Sequence, residues 1–233
     1  MDAIIESIAK LNDALADAPF NFAFLGGSVL SLLVTDKTAD AIRVTKDVDI
    51  MVDIKNRREF HAAERLLESR GFRHDTRDDA PICRWIYNDV TVDILPIRED
   101  VLGWRSKWFG EALLAAKTAD CGGRQVNVVS PPYFVALKLE AFEERGRREF
   151  LYSTDFEDVI CLFNGRASIV EEIAADEQLA PVLGRKFREY LNAPELEDAV
   201  EGFVQTETDP SARKATVLSR FQGVATLATD ETT

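Results

Sequence analysis

Asp47 and Asp49 stand two residues apart in the apolar stretch Asp47-Val48-Asp49-Ile50-Met51-Val52. Side chains alternate along a strand, so both carboxylates face one side while Val48, Ile50 and Val52 face the other. Two carboxylates on one face repel each other unless a cation lies between them. Hard oxygen donors with no histidine or cysteine among them suit Mg²⁺ or Mn²⁺. Upstream, Gly26-Gly27-Ser28 interrupts an apolar run, and backbone N–H groups at such a strand-to-helix turn can hold a phosphate. A third acid, Asp93, lies in the alternating run Val90–Ile97. If these strands are neighbours, three carboxylates gather beside the glycine turn. That layout serves phosphoryl or nucleotidyl transfer, with metals roughly 3.5–4 Å apart orienting the attacking and leaving oxygens. Asp-x-Asp alone is weak in a chain with 41 acids. The order of the parts carries the weight.

The elements that must position these residues follow from periodicity. Ile4, Ile8, Leu11 and Leu15 form one face of a helix over 2–17, ended by Pro19. Asn21–Leu25 is a short strand, Ser28 is the expected N-cap, and Val29–Val34 a short buried helix. Thr35–Thr45 is a polar connection. Asn56 caps a helix to Arg70 with Phe60, Ala63 and Leu67 inward and Gly71 as its stop. Ile82–Tyr87 and Val90–Ile97 are strands joined at Asn88-Asp89. Trp104–Lys117 is expected to be helical, and Gly122-Gly123 to turn a second hairpin. Pro131-Pro132 marks a boundary, after which the strand signal fades. Helices are expected over 133–144, with Phe134, Leu137 and Ala141 on one face, then over 154–163, 169–176, 183–191, 195–204 and 211–221. The fold class is therefore α+β: a mixed sheet flanked by helices over residues 1–130, then a helical bundle over 131–233.

With 233 residues, 46% hydrophobic and 30% charged, an ordinary packed core is expected. A net charge of −13 disfavours binding nucleic acid through overall charge, so any such contact needs a local basic patch. Arg145, Arg147 and Arg148 are one such run, and Arg57, Arg58 and Arg65 another. Cys83, Cys121 and Cys161 are too widely spaced for a disulfide framework or a zinc site. Neither a signal peptide nor an apolar run of membrane-spanning length is evident, so cytoplasmic residence and no membrane partner are expected.

Gly27-Ser28, the Asp47-x-Asp49 pair and the strand acid Asp93 resemble the nucleotidyltransferases of the DNA polymerase β type. Lys138-Leu139-Glu140-Ala141-Phe142, then Arg145, then Asp155-Phe156-Glu157-Asp158 resemble the abortive-infection (AbiEii-like) toxin group. The resemblance covers about residues 20–165, with a longer interval from Ser28 to Asp47 than compact members have. It implies that Gly26, Gly27 and Ser28 hold the phosphates of an NTP and that Asp47 and Asp49 coordinate Mg²⁺ or Mn²⁺. It implies that Asp93 ligates a metal or accepts the acceptor's proton, and that Lys138 neutralises the triphosphate. Asp155 and Asp158 would orient Lys138 or Arg145, or touch the nucleotide. Taken alone, Lys138 is a solvated lysine, and the two acids are first-turn acids of a helix.

Three functions fit. The first is a toxin of a toxin–antitoxin pair, moving an NMP to a tRNA 3′ end or a protein hydroxyl, with an antitoxin as partner. The second modifies a small molecule such as an antibiotic. The third is an inert nucleotide-binding or interaction module.

Overall fold

A computed structural model of the chain describes residues 3–36, 38, 39, 43, 45–103, 106–145, 148–204 and 209–229. It divides into two compact units. One comprises Met1–Leu32 and Val44–Ser130, the other Leu33–Arg43 and Pro131–Thr233. The fold class is the expected one, a mixed sheet with flanking helices followed by a helical bundle.

The first unit opens with α1 (Ala3–Leu15), which buries Ile8, Leu11 and Leu15 and ends four residues before Pro19. β1 (Phe22–Leu25) runs into a 3-10 turn (Gly27–Val29) and the short α2 (Leu30–Leu33). β2 (Asp47–Val52) follows, then α3 (Arg57–Ser69), whose Asn56 cap accepts from the Glu59 N–H. Next come β3 (Phe72–His74), β4 (Arg84–Tyr87), β5 (Val90–Pro96), α4 (Glu99–Leu102), α5 (Phe109–Leu114), β6 (Lys117–Cys121) and β7 (Arg124–Val128). The seven strands form one sheet in the order β3-β4-β5-β2-β1-β7-β6. β2 and β5 are parallel, as are β1 and β7, and the other neighbours are antiparallel. Val48, Ile50, Val52, Val92 and Ile94 are buried, and α1 and α5 both pack on β2.

Several local expectations are corrected. Ser28 is not an N-cap. Gly26 takes that position, and Ser28 sits inside the 3-10 turn, buried, with its hydroxyl donating to the Leu25 carbonyl at 3.0 Å. A buried hydroxyl needs a partner, and the end of β1 supplies one. The helix expected to reach Lys117 stops at Leu114, because Lys117 opens β6 and pairs with Val128. Trp104 lies outside the described residues. Ile82 precedes β4 and is exposed. β3 and α4 are additions, each too short to show periodicity.

The second unit consists of α6 (Pro131–Glu144), α7 (Thr154–Gly165), α8 (Ile169–Ala174), α9 (Leu179–Tyr190), α10 (Leu196–Phe203) and α11 (Pro210–Ala225). The two prolines open α6, where the first N–H groups have no helical acceptor to lose. Phe134 is buried as expected, but the stripe continues through Val135, Leu139 and Phe142, with Leu137 and Ala141 only half-buried. Packing on α7, α8 and α9 sets that face. The cap of α7 is Ser153, whose hydroxyl accepts from the Phe156 N–H. α11 packs on α7, α8, α9 and α10. Phe142, Phe156, Phe163, Phe187, Tyr190 and Phe221 form a continuous ring cluster. Such ring pairs add about 0.5–1.5 kcal/mol each beyond the area they bury.

Within the connection read as polar, residues 35 and 36 are docked on this bundle. The N–H groups of Thr35 and Asp36 both donate to the Gly165 carbonyl at 2.9 Å, and Arg213 pairs with Asp36 at 2.7 Å.

Candidate functional site

The first unit brings its three strand acids together. Asp49 on β2 lies directly opposite Asp93 on β5 in the parallel register, and Asp47 lies opposite Thr91. Register partners, and residues two apart on a strand, share a face. All three carboxylates therefore share one side of the sheet. Leu25, the last residue of β1, pairs with Asp49, which puts the Gly26 turn at the same corner. Gly26 has φ of 73° and ψ of −169°, a conformation open essentially to glycine alone. A β-carbon there would fall 1.9 Å from Asp49 Oδ2. The turn and the carboxylate are thus in direct contact.

A cation is already present among the acids. Arg84 on β4 is the antiparallel partner of Asp93. Its Nε and Nη2 donate to Asp93 Oδ1 and Oδ2 at 2.8 and 2.7 Å, and Nη2 lies 3.7 Å from Asp47 Oδ2. The hydrogen bond to Asp93 is the main reason that the Arg84 guanidinium is held above its ordinary pKa, against the opposing effect of burial. Thr45 Oγ1 donates to Asp47 Oδ1 at 2.7 Å. Behind this corner, burial first and the Asp93 charge second push the Cys83 thiol up to about 12.

The donor chemistry of Asp47 and Asp49 suits a hard divalent ion. Asp93 fits that role less well, since both its oxygens accept from Arg84. Among the described residues no group of three or more acids, histidines or cysteines is placed to hold a metal ion.

The remaining expected residues meet in the second unit. Lys138 Nζ on α6 lies 3.0 Å from Asp155 Oδ1 and 2.6 Å from Asp158 Oδ2, both on α7. Arg145 reaches Asp155 at 3.2 Å. The Lys138 side chain is 13% exposed and that of Asp158 only 2%. Burial works to lower the Lys138 pKa, and Asp158 and Asp155 outweigh it, so the net direction is upward. Arg43 completes the cluster at 3.6 Å from both Glu157 and Asp158.

Sequence reasoning missed Arg84 and Arg43. For Arg84 a signal existed: a two-residue turn at Asn88-Asp89 sets Tyr87 against Val90, and counting outward puts Arg84 against Asp93. For Arg43 there was none, because its partners lie more than a hundred residues away in the chain.

An antigenic nucleotidyltransferase-like protein from Paracoccidioides brasiliensis matches this fold with a TM-score of 0.55 at 19% identity, over 89% of this chain and 95% of that one. The chain has a nucleotidyltransferase-type fold. Two structures of the antibiotic-resistance factor ANT(2'')-Ia superpose more loosely. One, in solution, gives a TM-score of 0.48 at 16% identity over 74% of this chain and 90% of that one. The other, a crystal structure with adenylyl-2''-tobramycin, gives 0.42 at 14% over 72% and 97%. No protein-family model and no curated protein matches the chain. In this nucleotidyltransferase-type fold the acid corner lies on β2 and β5, next to the turn that leaves β1. Among the described residues no helix is long and apolar enough to cross a membrane.

Proposed function

We propose that the protein transfers a nucleoside monophosphate from an NTP to a hydroxyl of a small-molecule acceptor. The observation that carries this reading is the register of β2 and β5, which sets Asp49 beside Asp93 on the face that Asp47 shares, against the Gly26 turn. Asp47 and Asp49 would hold a magnesium ion, which when bound neutralises charge on the phosphates. Backbone N–H groups of the Gly26-Gly27 turn would hold phosphate oxygens. The acceptor oxygen would form a bond to the α-phosphorus, the bond from that phosphorus to the β-phosphate oxygen would break, and pyrophosphate would leave. The hydroxyl proton would pass to solvent. Positioning and charge stabilisation would supply most of the rate.

Charge supports a small acceptor over a polyanion. The protein carries −13 overall, and two arginines of its densest basic run are paired within the chain. Arg145 is held by Asp155, and Arg148 by Glu189 and Glu143. Arg147 lies outside the described residues. One observation favours the second reading, a toxin acting on tRNA or a protein under an antitoxin's control: Arg57, Arg58 and Arg65 are exposed on α3.

The experiment is direct. The purified protein is incubated with each α-labelled NTP, Mg²⁺, and separately a small-molecule extract, total RNA and protein extract. Label on a small molecule that disappears with Asp49→Asn supports the proposal. Label on tRNA or protein transfers support to the second reading. No label in any fraction overturns both.

A further inference from the structure

We propose that Arg84 is a resident cation of the acid corner, which keeps Asp93 out of metal ligation and makes this a site for one divalent ion. The inference rests on the reading that Asp47 and Asp49 hold such an ion. The strand register sets the placement of Arg84: four successive pairs from Tyr87–Val90 to Arg84–Asp93 put it across from the acid. Its fork engages both oxygens of Asp93, at 2.8 and 2.7 Å, leaving each with reduced capacity for a metal. The same guanidinium reaches to 3.7 Å from Asp47, so it spans from the acid of β5 to one of the acids of β2.

Donors and charge together give the stoichiometry. Arginine remains protonated at any pH the fold survives, so its positive charge is permanent. With both oxygens of Asp93 engaged, ligation rests on Asp47 and Asp49, a donor set for one divalent ion. A second ion would have to displace a hydrogen-bonded fork and would face the guanidinium at close range. The side chain of Arg84 is 24% exposed and that of Asp93 12%, so water screens this repulsion only in part. Asp93 then acts as a positioning residue. It holds the Arg84 guanidinium in place, and the two charges offset each other.

The test counts Mn²⁺ bound to the full chain by calorimetry and by loss of the free-ion electron paramagnetic resonance signal. Wild type is expected to take one Mn²⁺, and Asp49→Asn to lose it. Arg84→Gln is expected to take a second ion or to bind the first at least about tenfold more tightly. Arg84→Gln combined with Asp93→Asn should return to the wild-type result. Two ions in wild type, or an Arg84→Gln titration that superimposes on wild type, would overturn the proposal. No binding by either wild type or Arg84→Gln removes the underlying reading of Asp47 and Asp49, an outcome distinct from the other two. Circular dichroism checks that the variants fold, and the wild-type count stands without them.

Discussion

Asp49 fills the space that a side chain at Gly26 would occupy: a β-carbon built there would lie 1.9 Å from Oδ2. The bend leaving β1 and the acid on β2 are thus fitted to each other, and the backbone at Gly26 has a conformation that side chains rarely allow. Gly26→Ala is expected to lose about 2–4 kcal/mol, from backbone strain and from displacing the carboxylate. Gly110, in α5, faces open space. Gly110→Ala is the control and should be neutral or gain about 0.5–1 kcal/mol. Urea denaturation measures both.

Asp49→Asn separates chemistry from folding. The amide keeps the size and shape of the side chain, so the fold should be retained, as circular dichroism would check. Transfer of label from NTP should fall by about 10²–10³-fold if the corner works as proposed. Equal rates for variant and wild type would remove Asp49 from the reaction.

Lys138 gives a different pattern. Its removal leaves the buried Asp158 and Asp155 with only the longer pairings to Arg43 and Arg145, so Lys138→Met should cost about 3–5 kcal/mol. Adding Asp155→Asn and Asp158→Asn should recover most of that loss. Chemical denaturation of the single and triple variants decides it; a triple variant no more stable than the single would contradict the ion-cluster account.

Glu143 should contribute an acid-sensitive part of the stability. Burial raises its pKa, but bonds from Lys186 and Tyr190 outweigh this, and the net direction is downward. A carboxyl depressed in the folded state stabilises above its unfolded pKa of 4.5 and loses that contribution as pH falls through the folded value. Melting temperature should therefore drop below about pH 4.5 in wild type. Glu143→Gln should flatten that part of the profile. An unchanged slope in the variant would assign the acid sensitivity to other groups.

Much of the acid corner was legible because strands have a period of two. Asp47 and Asp49 had to share a face once Val48, Ile50 and Val52 were read as core. The cap of α3 and the Asn88-Asp89 turn were legible for the same reason: local chemistry determines them within a few residues. The buried face of α6 was not, since nearly every position in its first two turns is apolar and packing partners choose among them. Nor was the docking of residues 35 and 36 on the bundle, which rests on Gly165 and Arg213, far along the chain.

The sequence by itself determined that three acids would lie on strands, each on a defined side, with a glycine bend ahead of them. Only the tertiary structure decided which strands became neighbours, and so which cation Asp93 would meet. Side-chain direction is a local property of the backbone, whereas strand order depends on how distant segments pack. Here that packing placed β4 on the outer side of β5 and put a guanidinium against Asp93.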